Sequence, residues 1–194
     1  MMLAMVSHVY AQAAGGSQGF MQTQANVQQT ILAWLDQNGI AYRVYTHEPA
    51  YTIDACLELP FIQEHVTICK NVFLTNRQQT DYFLMLLRPQ TPFRTAVVSK
   101  ALGTSRLSFA PEAALHSLLH LSSGSVSPLG LYFDQSHRIQ LCYEAAVRDS
   151  MEIAFHPCDN AATVIFKQAV FWEQVLPLLG VQPIAIKDVT ANGS

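Results

Sequence analysis

The 194-residue chain is 50% hydrophobic and 13% charged, with a formal net charge of -3 and a mean hydropathy of +0.17. That composition can bury one sizeable core, and its acidic balance argues against a broad basic surface lying along nucleic acid, leaving only local contacts to phosphate. No run approaches the roughly 20 apolar residues needed to cross a bilayer, so neither a membrane nor a DNA partner is expected.

Residues 1–25 read as a flexible N-terminal extension. Met2 to Val6 followed by Ala11-Gln12-Ala13 superficially resembles a signal peptide, but no Lys or Arg precedes it and Ser7 and His8 interrupt it. The Gly15-Gly16-Ser17-Gln18-Gly19 stretch has linker composition. Residues 26–190 read as a single domain. Val27, Ile31, Leu32 and Leu35 recur at helical spacing before Asn38-Gly39, which predicts an amphipathic helix over 26–38. A strand over 40–46 follows, then a His47-Glu48-Pro49 turn and a short helix capped by Thr52 that runs to about Leu59. Two β-rich runs, 66–75 and 82–88, flank the polar turn 76–81 and predict a hairpin.

Helices are expected over 95–102, stopped by Gly103, and from Pro111 to about His120. The Ser/Gly loop 122–128 leads into a run that reads as a second hairpin, with strands 129–133 and 138–143. Strands over 152–155 and 162–166, a helix over 169–179 closed by Gly180, and a strand over 181–186 complete the pattern. The fold class is α/β: a mixed, largely antiparallel sheet or partial barrel surrounded by helices.

Lys70 is the residue hardest to explain as structure. On a regular strand it shares a face with Val66, Ile68, Val72 and Leu74, which places an ammonium in an apolar row. Either it snorkels at a sheet edge or pairs with a carboxylate, or it enters a pocket as a point charge for phosphate. Asn71 then faces the other way unless a bulge intervenes. The segment Gly124-Ser125-Val126-Ser127-Pro128 has the composition of a loop whose backbone N–H groups can cradle an anion, although such stretches are often plain turns. His156, ahead of Pro157, is open to a structural or an acid–base role. Ser125 and Ser127 lack a His/Asp order suited to a triad. The four cysteines (56, 69, 142 and 158) show no metal-binding spacing and read as reduced thiols in a cytoplasmic protein. A cation, a backbone cradle and polar groups without an obvious nucleophile suit a ligand with a phosphate and a labile ester.

Five ordered segments carry a resemblance: His47-Glu48-Pro49-Ala50-Tyr51-Thr52; Cys69 to Leu74; Lys100-Ala101-Leu102-Gly103 with Arg106 to Ala110; Gly124 to Gly130; and Phe155-His156-Pro157 through Asn160 to Val164. Over about residues 28 to 187 the chain resembles the prolyl-tRNA editing family, freestanding deacylases similar to the editing insertion of bacterial prolyl-tRNA synthetase. The resemblance implies hydrolysis of the ester on mischarged tRNA, above all Ala-tRNA(Pro), without a cofactor or metal. It implies that Lys70 helps hold the tRNA 3′ end, that the 124–128 loop shapes the amino-acid pocket and positions the water, and that a terminal ribose hydroxyl assists. Asn71, His156 and Asn160 would bind substrate, and prolyl-tRNA synthetase would be a transient partner. Ala161 departs from the family's usual Thr. The competing classes are a non-catalytic tRNA- or synthetase-associated module, a deacylase for Cys, Ser or Thr, and a small-molecule esterase.

Overall fold

The computed structural model describes residues 18–187 and 189–190. Its elements are α1 (Gln18–Gln37), β1 (Arg43–Thr46), α2 (Ile53–Leu57), β2 (Val66–Ile68), β3 (Lys70–Asn76), β4 (Tyr82–Leu87), α3 (Thr95–Ala101), β5 (Leu107–Phe109) and α4 (Glu112–Leu119). A 3-10 segment (Pro128–Phe133), β6 (Ile139–Glu144), a 3-10 turn (Ala145–Arg148), β7 (Glu152–Phe155) and β8 (Ala162–Lys167) follow. The chain then forms α5 (Gln168–Val170), a π turn (Phe171–Val175), α6 (Leu176–Leu178) and β9 (Ile184–Ile186).

The strands make two mixed sheets rather than a closed barrel, in the orders β1-β8-β7-β2 and β5-β3-β4-β6-β9. The main core lies between them. Leu84, Leu86 and Leu141 from one sheet meet Ile153, Phe155 and Phe166 from the other, with Ile31 and Leu35 of α1 and Phe171 and Val175 of the π turn closing the layer. Phe155 and Phe171 sit with ring centroids 4.6 Å apart, and burying each such side chain contributes about 1.5–3 kcal/mol. The outer face of the five-stranded sheet is covered at Val72, Leu74 and Leu87 by Val98 of α3. The outer face of the four-stranded sheet is covered at Ile68, Ala154 and Ile165 by Ala50 and by Cys56 of α2.

The expected run 66–75 is two strands. Val66–Ile68 pairs in parallel with β7, while Lys70–Asn76 pairs with β4 and β5 in the other sheet. Cys69 is the crossing point, its N–H donating to Ala154 O at 3.3 Å. Lys70 therefore opens a strand at the seam between the sheets, still on the face of Val72 and Leu74.

The second expected hairpin is absent. Residues 129–133 lie in a 3-10 segment because Ser127 Oγ accepts the Leu129 N–H at 3.2 Å and Pro128 starts the turn. Gly130 packs closely there: a Cβ would stand 2.8 Å from Leu121 Cδ1, so that side chain would have to shift. β6 instead pairs in parallel with β4 and β9. α1 begins at Gln18, ahead of the expected 26, and β5 was not expected. Pro111 is the N-cap of α4 rather than its first residue. The helix expected over 169–179 is present but carries the π turn just before Pro177, which has no N–H to return to an earlier carbonyl.

Candidate active site

A cleft of about 170 Å³ opens at the seam, with Ala50 to Ile53 and Cys56 as one wall, Ile68 to Asn71 along its floor, and Gly124, Val126, Phe155 and His156 completing the lining. The turn expected at His47-Glu48-Pro49 leads into this wall, and Thr52 caps α2 by accepting the Ala55 N–H at 3.2 Å. Backbone bonds fix the wall to the β7–β8 loop: His47 N–H donates to Ala161 O and Ala50 N–H to Asn160 O, both at 2.9 Å.

Lys70 is half-buried, and its Nζ donates to Thr91 O at 2.6 Å. It is the only charged side chain among the described residues lining the cleft. A single cation in a cleft without a carboxylate favours an anionic group such as phosphate.

Asn71 lies on the opposite strand face yet also reaches the cleft, because the strand starts at the seam. Its Nδ2 donates to Val126 O at 2.8 Å, which ties the floor to the 124–128 loop and fixes the amide's orientation. The Oδ1 that remains is buried without a hydrogen-bond partner among the described residues. A lone buried acceptor of this kind attracts a donor.

The loop divides its labour. Gly124, at φ +90°, and Val126 face the cleft, and the missing side chain at 124 leaves Tyr51 and Asn160 as its nearest neighbours. Ser125, Ser127 and Pro128 are buried behind them. Ser125 Oγ donates to Ser122 O at 2.9 Å and its N–H goes to the same carbonyl, so this amide points into the loop rather than into the cleft. Ser125 Oγ also accepts the Ser122 N–H at 3.2 Å and Ser127 Oγ the Leu129 N–H, so both serines support the loop. Asn160 braces the wall through its carbonyl, and its side-chain Nδ2 approaches Gly124 at the edge of the cleft.

His156 is held at both nitrogens. Nδ1–H donates to Ala162 O at 2.8 Å, so Nε2 is the free acceptor, 3.7 Å from the Cys56 thiol. Burial pushes the His156 pKa below its ordinary value, and nearby His47 adds to the effect. The lowered pKa favours the neutral ring, and the Ala162 carbonyl fixes its tautomer.

His47 stands 6.2 Å away between ring centroids, with Nδ1–H donating to Glu48 O and Nε2 accepting from Thr163 Oγ1. All four cysteines are free and buried. Burial raises the pKa of each thiol, to about 12 for Cys142. None is a thiolate nucleophile at neutral pH.

The family model described as an aminoacyl-tRNA editing domain matches residues 47–171, which includes every one of these positions. The chain belongs to the aminoacyl-tRNA editing domain family. It is 30% identical over 140 residues to the prolyl-tRNA editing protein ProX of Acetoanaerobium sticklandii, covering 72% of this chain and 85% of that one. It is 28% identical over 131 residues to the prolyl-tRNA synthetase associated domain-containing protein 1 of Bos taurus, covering 64% and 74%. A solved structure described as a candidate trans-editing enzyme for prolyl tRNA synthetase superposes with a TM-score of 0.63 at 15% identity, over 84% of this chain and 97% of that one. That likeness establishes the two-sheet fold.

Cys56 and Thr91 were not legible as site residues. Each reaches the cleft or its lysine from outside the motifs, and only the His47 to Thr52 motif, which holds Tyr51, gave a local sign of one wall.

Proposed function

We propose that this chain is a trans-editing hydrolase that removes a wrongly attached amino acid from tRNA, with Ala-tRNA(Pro) as its leading substrate. The observation that carries this reading is the pairing, in one cleft and among the described residues, of a single cation with an immobilised histidine of lowered pKa and no activated protein nucleophile. Water adds to the ester carbonyl carbon, the bond to the ribose oxygen breaks, and that oxygen leaves with a proton, giving free amino acid and tRNA. No covalent enzyme adduct is needed.

Lys70 holds a phosphate of the tRNA 3′ end, with the three N–H bonds of its ammonium shared between Thr91 O and the ligand. The terminal ribose hydroxyl assists the attacking water, as the resemblance to the editing family implies, and no carboxylate among the described residues lines the cleft. Gly124 and Val126 shape the side of the cleft that receives the aminoacyl group. His156, fixed between Ala162 and Cys56, limits the size of the amino-acid side chain rather than moving a proton.

A cleft of about 170 Å³ equals roughly six water volumes of about 30 Å³ each. That is room for a small aminoacyl group, while the nucleotide stays at the rim. There the exposed ring of Tyr51 offers a face on which a base can stack. Relatives named for prolyl-tRNA editing support proline tRNA as the carrier, with transient contact to prolyl-tRNA synthetase and action in the cytoplasm. Single-turnover hydrolysis of Ala-tRNA(Pro) tests the reading: release of alanine well above the spontaneous rate is expected, and tight binding without release would make the chain a binding module instead.

A further inference from the structure

Among the described residues the Lys70 side chain makes one hydrogen bond, to Thr91 O at 2.6 Å, and that carbonyl lies in the turn that follows β4 rather than in the cleft lining. An ammonium on a four-carbon stem is mobile unless something holds it, so the placement of that carbonyl decides where the charge sits. The turn is closed by Thr91 N–H donating to Arg88 O at 3.1 Å.

It is fastened from below by Glu144, at the end of β6 and 4% exposed. Glu144 Oε2 accepts from Thr91 Oγ1 at 2.7 Å and from the Arg88 backbone N–H at 2.9 Å. Glu144 Oε1 accepts from Arg88 Nε at 2.9 Å and lies 2.8 Å from Arg88 Nη2. Every one of these contacts goes to the two ends of a single four-residue turn. A buried carboxylate is costly unless its oxygens are satisfied, and this one is satisfied wholly by the segment that presents the carbonyl to Lys70.

We propose that Glu144 is a positioning residue for Lys70, acting through the Arg88–Thr91 turn without touching the substrate. The inference rests on the deacylase reading for its activity test. The line of support runs from the Glu144 carboxylate to the Thr91 hydroxyl, from the Thr91 carbonyl to the Lys70 ammonium, and from there to the substrate phosphate. Its two halves use different atoms of Thr91, so the residue can be cut at the hydroxyl while the carbonyl stays.

The variants are Glu144→Gln, Thr91→Val, Thr91→Ser and Lys70→Met, each assayed alone, with Glu144→Gln also combined with Lys70→Met. Loss of the support is expected to slow Ala-tRNA(Pro) hydrolysis about tenfold in Glu144→Gln and Thr91→Val, the effect of one misplaced charge-assisted contact. Thr91→Ser keeps the hydroxyl and is expected to stay within about threefold of the parent chain. In the Lys70→Met background Glu144→Gln should add less than about twofold, because two residues acting in series are not additive. Full additivity, or normal rates in Thr91→Val, would overturn the proposal.

Should Glu144→Gln fail to fold, the Thr91→Val and Thr91→Ser pair decides alone. A readout independent of turnover is acetylation of Lys70 by acetic anhydride, followed by mass spectrometry. A released ammonium is modified faster in Glu144→Gln and Thr91→Val than in Thr91→Ser, and unchanged labelling overturns the proposal. If the parent chain hydrolyses no charged tRNA, the deacylase reading fails while the labelling result still decides whether Glu144 holds Lys70.

Discussion

Replacing Lys70 with methionine removes the one charge among the described residues lining the cleft and keeps most of the apolar stem. The lost interaction with a phosphate oxygen is a charge-assisted hydrogen bond, about 1.5–3 kcal/mol, which corresponds to a fall of about 10- to 150-fold in rate at subsaturating enzyme. Coulomb attraction at about 4 Å and an effective dielectric of about 20 sets a ceiling near 4 kcal/mol. Lys70 is only half-buried, so the lower range applies. On the stability side the fold loses a single bond from the half-buried ammonium to Thr91 O, worth about 1.5 kcal/mol, the low end for a charged donor, and the melting temperature should fall by about 3–6 °C. The assay is single-turnover hydrolysis of Ala-tRNA(Pro) across a range of enzyme concentrations, alongside a thermal melt. A rate within about twofold of the parent chain at every concentration would refute the phosphate role. A melting temperature lowered by well over about 10 °C would show that Lys70 is primarily structural.

His156→Ala opens the cleft beside Phe155 and should raise hydrolysis of larger aminoacyl groups while alanine release persists; loss of alanine release in a folded, tRNA-binding variant would make His156 chemical. The folded-state pKa of His156 lies below its unfolded value of about 6.5, so the unfolded chain binds the extra proton first and stability falls as pH drops below that value. An NMR titration should show the His156 ring neutral at pH 6.5, and an inflection at or above that pH would contradict the burial argument. Gly124→Ala meets no side chain closer than 3.8 Å but forces a Cβ onto φ +90°, which should cost about 1–2 kcal/mol in a denaturant melt; a neutral result would show that the loop backbone relaxes freely.

Lys70 stood out in the sequence because an ammonium in an apolar row has no purely hydrophobic explanation, and the structure places it in the cleft. The switch of sheets at Cys69 was illegible, because residues 66–75 are uniformly β-forming and only the pairing partners β7 and β4 divide them. The 3-10 segment after Pro128 was misread as a strand because Leu129, Leu131, Tyr132 and Phe133 make an apolar run. The decisive signals were local: Ser127 as a cap and Gly130 pressed against Leu121. Within the 124–128 motif, composition did not reveal that Gly124 and Val126 face the cleft while Ser125, Ser127 and Pro128 support it. Glu144 and Thr91 were invisible as site residues, since they reach Lys70 only through a turn separated from it by 21 residues.

The most direct test is single-turnover deacylation of one proline tRNA charged in turn with Ala, Ser, Cys, Thr and Pro. A small cleft bounded by His156 discriminates strongly against a side chain that clashes and weakly against a smaller one. The expected order is therefore Ala fastest, Ser next and Pro essentially resistant. Hydrolysis of Pro-tRNA(Pro) at a rate comparable with Ala-tRNA(Pro) would contradict the account.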